Sequence, residues 1–148
     1  MPVTDEQVAT LRAQLRGNAN EHRRLLRDLD SDEANVGYPA LIAAAFIEAA
    51  ERRFLKDGNA ADESEVIDFV AGVRETDDEM PDVISAQIAE GMILHLLGKG
   101  AMVKADEETK LGHQIVLIAG LVGDEKFTED DLDAFLRDAR SLADQLLE

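Results

Sequence analysis

From Val8 onward, apolar side chains recur every three or four residues: Val8, Leu11 and Leu15, then Leu25 and Leu29, with Asn18 and His22 in step between them. Such spacing makes a heptad seam along one helical face, here with two polar members. Thr4 stands three residues before Gln7, the spacing of a capping box. A first helix is therefore expected from Thr4 to about Asp28, with Gly17 and Asn18 the place where it could break. "SDEANVGYPAL" reads as a loop. Pro39 then opens a helix from Ala40 to Lys56, filled by Leu41, Ile42, Phe46, Ile47 and Phe54, whose alanines allow close packing on every side. Asp57-Gly58-Asn59 ends it, with Gly58 suited to the left-handed position after a helix. A third helix is expected over Glu63–Arg74, followed by the acidic connector "ETDDEM". A fourth runs from Pro81 to Leu97, with Val83, Ile84, Ile88, Met92 and Leu96 inward, closed by Gly98 and Gly100. The fifth, Glu107–Val122, is apolar nearly all round after Lys110. Gly112, Val116 and Gly120 lie four apart on it, a face suited to close approach by a core helix or a second subunit. The last, Glu129–Leu147, carries a stripe of Leu132, Phe135, Leu136, Ala139, Leu142, Ala143 and Leu146. No stretch alternates apolar and polar over strand length. The pattern predicts an all-α fold: a compact single-domain bundle of about six helices over 1–148, with the N-terminal helix and loop in 1–36 and the core helices in 37–148.

Composition narrows the function classes. A chain of 148 residues can bury roughly 70% of the surface its unfolded form exposes, so it needs no covalent staples. It has no cysteine, which removes disulfides, zinc–thiolate sites and a thiol nucleophile and fits a reducing cytoplasm. Met1-Pro2-Val3-Thr4-Asp5-Glu6 has neither the basic nor the apolar region of a signal peptide. The longest apolar stretch, Ala40 to Ala50, already contains Glu48, whereas a membrane helix needs about 20 apolar residues. Net charge is -17, from 32 acids and 15 bases. Residues 57–90 hold eleven acids and one base, Arg74, and residues 105–148 hold twelve acids and four bases. Residues 1–36 are nearly balanced, with seven acids and five arginines. Nucleic-acid backbones are repelled by such a chain unless a basic face is segregated. Neither nucleic acid nor membrane is expected as a partner.

The densest acidic stretch, "VGDEKFTEDDLDAFL", fails as a calcium loop. An EF-hand needs oxygen donors at positions 1, 3 and 5, glycine at 6 and glutamate at 12. Counting from Asp124, those positions hold Asp124, Lys126, Thr128, Glu129 and Phe135; counting from Asp57 they hold Asp57, Asn59, Ala61, Asp62 and Asp68. The stretch succeeds as a helix start. Thr128 is the N-cap, Asp131 takes the N3 position, and Phe127 with Leu132 form a hydrophobic staple. The same device recurs with Asp62 as cap and Glu65 at N3. Val66, Phe69, Val70 and Val73 then correspond to Leu132, Phe135, Leu136 and Ala139. A degenerate internal repeat follows: helix, acidic turn, capped helix. "FLKDGNAADESEVIDFV" and "LVGDEKFTEDDLDAFL" together resemble the tellurite-resistance TerB-like bacterial domains, over well under half of the chain. That resemblance implies metal-ion association through acids near Asp57 and Asp124 and a stress-related role. The second copy departs from the motif, with Glu125 where the turn glycine belongs.

Catalytic constellations do not emerge. His22, His95 and His113 have no carboxylate or histidine at ligand spacing, and there is no Glu-x-x-His pair of a di-iron bundle. His95 reads as a core residue bonded to a carbonyl, and His22 as a packing or register residue. Ser31, Ser64, Ser85 and Ser141 lack a nucleophile elbow, "GKGAM" is no phosphate loop, and Glu48 has Arg52 one turn on as its natural partner. Tyr38-Pro39 reads as the opening of a helix. No catalytic, cofactor-binding or metal residues are assigned and no cofactor is expected. The chain reads as a non-catalytic cytoplasmic helical protein that works by binding another protein or its own copy. A symmetric homodimer is expected, because the first-helix seam and the two-faced fifth helix exceed what six helices can cover. On that view salt strengthens association by screening the acidic segments.

Overall fold

The computed structural model describes residues 2–148. Among the described residues its regular elements are helices apart from one short hairpin. Its elements are α1 (Asp5–Leu15), α2 (Ala19–Asp28), a π-helical turn (Glu33–Gly37), α3 (Tyr38–Phe54), β1 (Leu55–Lys56), β2 (Asn59–Ala60), α4 (Glu63–Arg74), α5 (Met80–Val83), α6 (Ala86–Leu96), α7 (Glu107–Glu125) and α8 (Glu129–Leu146). The residues cluster into two compact units. One holds the chain up to Glu48 and from Val122 onward; the other is Ala49–Leu121.

Eight α-helices stand among the described residues where six were expected, because two expected helices break. The first break is at Gly17. Its φ of 76° lets its N–H reach Gln14 O and the Asn18 N–H reach Ala13 O, which is the Schellman ending of α1. Asn18 is thus no seam residue. Its side chain caps α2, accepting from Glu21 N–H at 3.2 Å. The second break is at Ile84, whose extended backbone separates α5 from α6. Ser85 then caps α6 through Ile88 N–H at 3.2 Å.

The expected loop before Pro39 is helical. Asp30 and Glu33 cap each other, Glu33 N–H donating to Asp30 Oδ1 at 2.8 Å and Asp30 N–H to Glu33 Oε1 at 3.3 Å. Proline has no N–H to offer the preceding turn. The helix widens there, and Tyr38 N–H reaches back five residues to Glu33 O, a π turn of the kind that accommodates such a lost bond. Gly37 lies in this turn. A Cβ built on it would stand 2.2 Å from Gln7 Nε2. Gln7 cannot give way freely, since it is buried and its Oε1 accepts from Thr4 N–H at 3.0 Å in the capping box of α1.

In the first unit α1 lies antiparallel along α8. Val3 N–H donates to Asp144 Oδ1 at 2.7 Å and Arg140 donates to Asp5 and to Val3 O at one end; Arg12 grips Glu129 and Asp133 at the other. Thr128 caps α8 as expected: Asp131 N–H donates to Thr128 Oγ1 and Thr128 N–H to Asp131 Oδ2, both at 3.1 Å. Phe127 sets its ring 5.7 Å from that of Phe135. Tyr38 is buried, its hydroxyl 3.4 Å from Gln14 Oε1, and burial pushes its phenol well above the ordinary range.

In the second unit α4 packs on α6 and Phe54 meets Phe69 edge-on at 5.7 Å. Gly120 supports close helix packing: a Cβ there would lie 3.0 Å from Val73 Cγ2. The small-residue face of α7 is thus filled at Gly120 by α4, while Gly112 has nothing within 4 Å. Asp106 caps α7, accepting from Thr109 N–H at 2.7 Å; the Thr109 backbone N–H, then its side chain, hold that carboxyl below its usual range.

Two substitutions test these local arguments. Thr128→Ala should lower stability by about 1 kcal/mol, the worth of a side-chain cap, read as a lower denaturation midpoint. Gly37→Ala should also destabilise, by roughly 1–2 kcal/mol as overpacking does. Helix propensity alone would make the same change stabilising, so the sign of the measured shift decides.

Candidate interaction surface

The first unit carries one helix that contributes nothing fully buried. No residue of the ten in α2 is buried. It packs on α1, with His22 and Leu25 half-buried along it and Leu29 half-buried just past its end, and His22 Nδ1 donates to Thr10 O at 2.9 Å. Asn20, Arg23, Arg24 and Arg27 are all exposed and follow i, i+3, i+4, i+7, so they form one ridge on the opposite side. Arg23 donates to Asn20 Oδ1 at 2.5 Å and Arg24 stands 3.7 Å from Glu21. Leu26, at the edge of the ridge, is 39% exposed, and Val36 in the π turn is 56% exposed. The seam expected to pair two subunits is partly spent inside the chain: Leu11 is buried and Val8 and Leu15 are half-buried.

Arg12 and Arg16, the remaining arginines of residues 1–36, face α8. Arg16 pairs with Glu129 at 3.2 Å. Beside this pair an open groove of about 380 Å³ is lined by Leu15, Val122, Phe127 and Leu132, with Arg16, Lys126 and Glu129 at its edge. Exposed ion pairs of this kind add little each, about 0–1 kcal/mol.

In the second unit α4 presents a face of opposite character. Ser64, Ile67, Asp68, Ala71, Gly72 and Glu75 follow i, i+3, i+4, i+7, i+8, i+11 and all are exposed. Ile67 is 40% exposed. Arg74, the one base of residues 57–90, is turned aside to Ile84 O at 3.0 Å.

The two acidic turns differ in build. Asp57 and Gly58 both have positive φ, 52° and 79°, and close the β1–β2 hairpin as a two-residue turn of the primed kind. The sequence signal, Asp-Gly between paired residues, was present. In the second turn the residue of positive φ is Lys126, at 52°, and no strand follows. Asp62 occupies the cap position of α4 but its side chain makes no capping bond, contrary to the expected matching device. Asp57 and Asp124 are exposed. Among the described residues no three or more of His, Asp and Glu converge in a way that could hold a metal ion. The eight positions matched between α4 and α8 are all buried.

The histidines are placed structurally. His95 is exposed rather than core, though its Nδ1 does meet a carbonyl, Gly100 O at 3.1 Å. His113 is buried, accepting at Nε2 from Ser85 N–H at 3.0 Å and donating from Nδ1 to Thr109 O at 2.9 Å. It ties α7 to the break before α6, a role its lone position in the sequence did not signal. Glu48 is half-buried on α3. Among the described residues no helix is long and apolar enough to cross a membrane. No protein-family model, no characterised protein and no solved structure matches this chain.

Proposed function

We propose that this protein is a non-catalytic cytoplasmic helical protein that acts by binding protein, first of all a second copy of itself. The observation that carries the reading is α2. A surface helix usually earns its place by burying one face, yet α2 buries no residue and instead presents arginines and Leu26 to solvent. A partner that covers this side would complete the burial that α1 leaves unfinished. The expected result is a mass above one chain by light scattering after gel filtration at micromolar concentration. A mass of one chain at both low and high salt would overturn self-association.

A second reading, TerB-like metal association through Asp57 and Asp124, is favoured by one observation: the helices that follow the two turns bury matching positions, Val66, Phe69, Val70 and Val73 in one and Leu132, Phe135, Leu136 and Ala139 in the other. A ligand that binds the folded state raises stability by about 2.7 kcal/mol at a hundred times its Kd. On the first reading the melting temperature is unchanged by millimolar calcium. A rise of several degrees would favour the second.

A further inference from the structure

The arginine ridge of α2 and the acidic face of α4 are complementary in more than charge. Each is a run of exposed residues at helical spacing: Asn20, Arg23, Arg24 and Arg27 on one, Ser64, Asp68, Ala71, Gly72 and Glu75 on the other. Each has one part-exposed aliphatic residue at its edge, Leu26 at 39% and Ile67 at 40%. The α4 face is otherwise small, so long arginines can lie across it. Arginine forks suit carboxylates, binding them through two parallel N–H bonds. No base interrupts the α4 face, since Arg74 is bonded to Ile84 O.

We infer that α2 of one copy docks on α4 of a second copy, with Arg23 and Arg27 meeting Asp68 and Glu75 and Leu26 covered beside Ile67. This rests on the self-association proposed above and names the surfaces that carry it. The ridge suits discrete carboxylates better than a phosphate chain. Its arginines, Arg23 to Arg27, span only about one helical turn and have acids on both sides in the sequence, Glu21 before them and Asp28, Asp30 and Asp32 after them, where a nucleic-acid backbone or an anionic bilayer would continue past the arginines and meet those acids. The net charge of -17 on each copy opposes any acidic partner at long range. Screening limits that repulsion to about 8–10 Å at physiological salt, so groups in contact decide. Because the contact is made of ion pairs at a partly exposed surface, raising salt further weakens it. This is the reverse of what an apolar seam predicts.

Charge reversal tests the pairing, with helix content of each variant checked by circular dichroism. Arg23→Glu with Arg27→Glu should reduce the mass to one chain under conditions where the unaltered protein associates. Asp68→Arg with Glu75→Arg should do the same. An equimolar mixture of the two variants should associate again, because each ridge then finds the opposite charge on the other's α4. If the unaltered protein associates and the ridge variant still does so, this docking is wrong while self-association stands. If the unaltered protein remains one chain, both are wrong. Association lost in the variants but not regained in the mixture overturns the α2–α4 pairing. So does arginine-dependent binding of duplex DNA or phosphatidylserine vesicles by a protein that does not self-associate.

Discussion

Mutual repulsion among 32 carboxylates facing 15 bases is the constraint on which the arrangement of this chain depends. A compact state concentrates like charge and loses stability by it. The fold offsets this by placing acids where the backbone itself is positive. Asp5 and Glu6 open α1, Glu63 and Glu65 open α4, Glu107 and Glu108 open α7, and Glu129, Asp130 and Asp131 open α8. Each such placement is worth about 0.3–1 kcal/mol at low ionic strength. Asp131 and Asp106 go further and accept backbone N–H bonds. The scarce bases are used to tie segments together: Arg12 reaches two carboxylates of α8, and Arg140 holds Asp5 and Val3 O. Against this economy, arginines left on an exposed ridge need a reason, and α2 keeps three there.

The second organising device is the controlled break. Gly17 and Gly98 end helices in the same way, each with φ near 77° and paired bonds back to the last turn, a geometry that costs glycine nothing. Pro39 does not end its helix. The chain winds a π turn ahead of it, and the widened turn sets Gly37 against Gln7. Glu33 then serves twice, bonding Asp30 N–H and accepting from Thr4 Oγ1 at 2.5 Å. The start of the π turn ahead of α3 is thereby joined to the cap of α1 within the first unit.

Periodicity made the helices legible, and capping chemistry made several of their starts legible. The Thr4 and Thr128 boxes lie where their spacing placed them, and the stripe of α8 is buried at Leu132, Phe135, Leu136, Ala139 and Ala143. The misses have local causes. Asp30-x-x-Glu33 is as good a box as either of those, but the glycine and proline that follow argued for a loop. Heptad spacing carried the expectation of one helix through Gly17, although Gly17-Asn18 is itself a strong stop and restart. Asp57-Gly58 announced a hairpin turn, yet its flanks lack strand alternation because the strands are two residues each. The α2 ridge was harder to see. Its arginines are plain in the sequence, but which side of α2 meets α1 depends on the break at Gly17, and a continuous helix would have turned the same residues elsewhere.

A helix of ten residues is marginal by itself in water, where isolated helices need about 12–15 residues to persist. The stability of α2 is therefore borrowed from its surroundings: the glycine ending of α1 that aims it, the Asn18 cap, the His22 bond to Thr10 O, and the half-buried Leu25 and Leu29. Elements with few buried contacts open at low free energy, which places α2 among the first parts of this protein to fray. A surface of that kind gains stability when it is covered, since a partner that binds only the ordered helix shifts the balance toward it. The same coupling lowers affinity, because part of the contact energy is spent on ordering the helix. A weak, salt-sensitive and concentration-dependent association is the behaviour that such a helix can support.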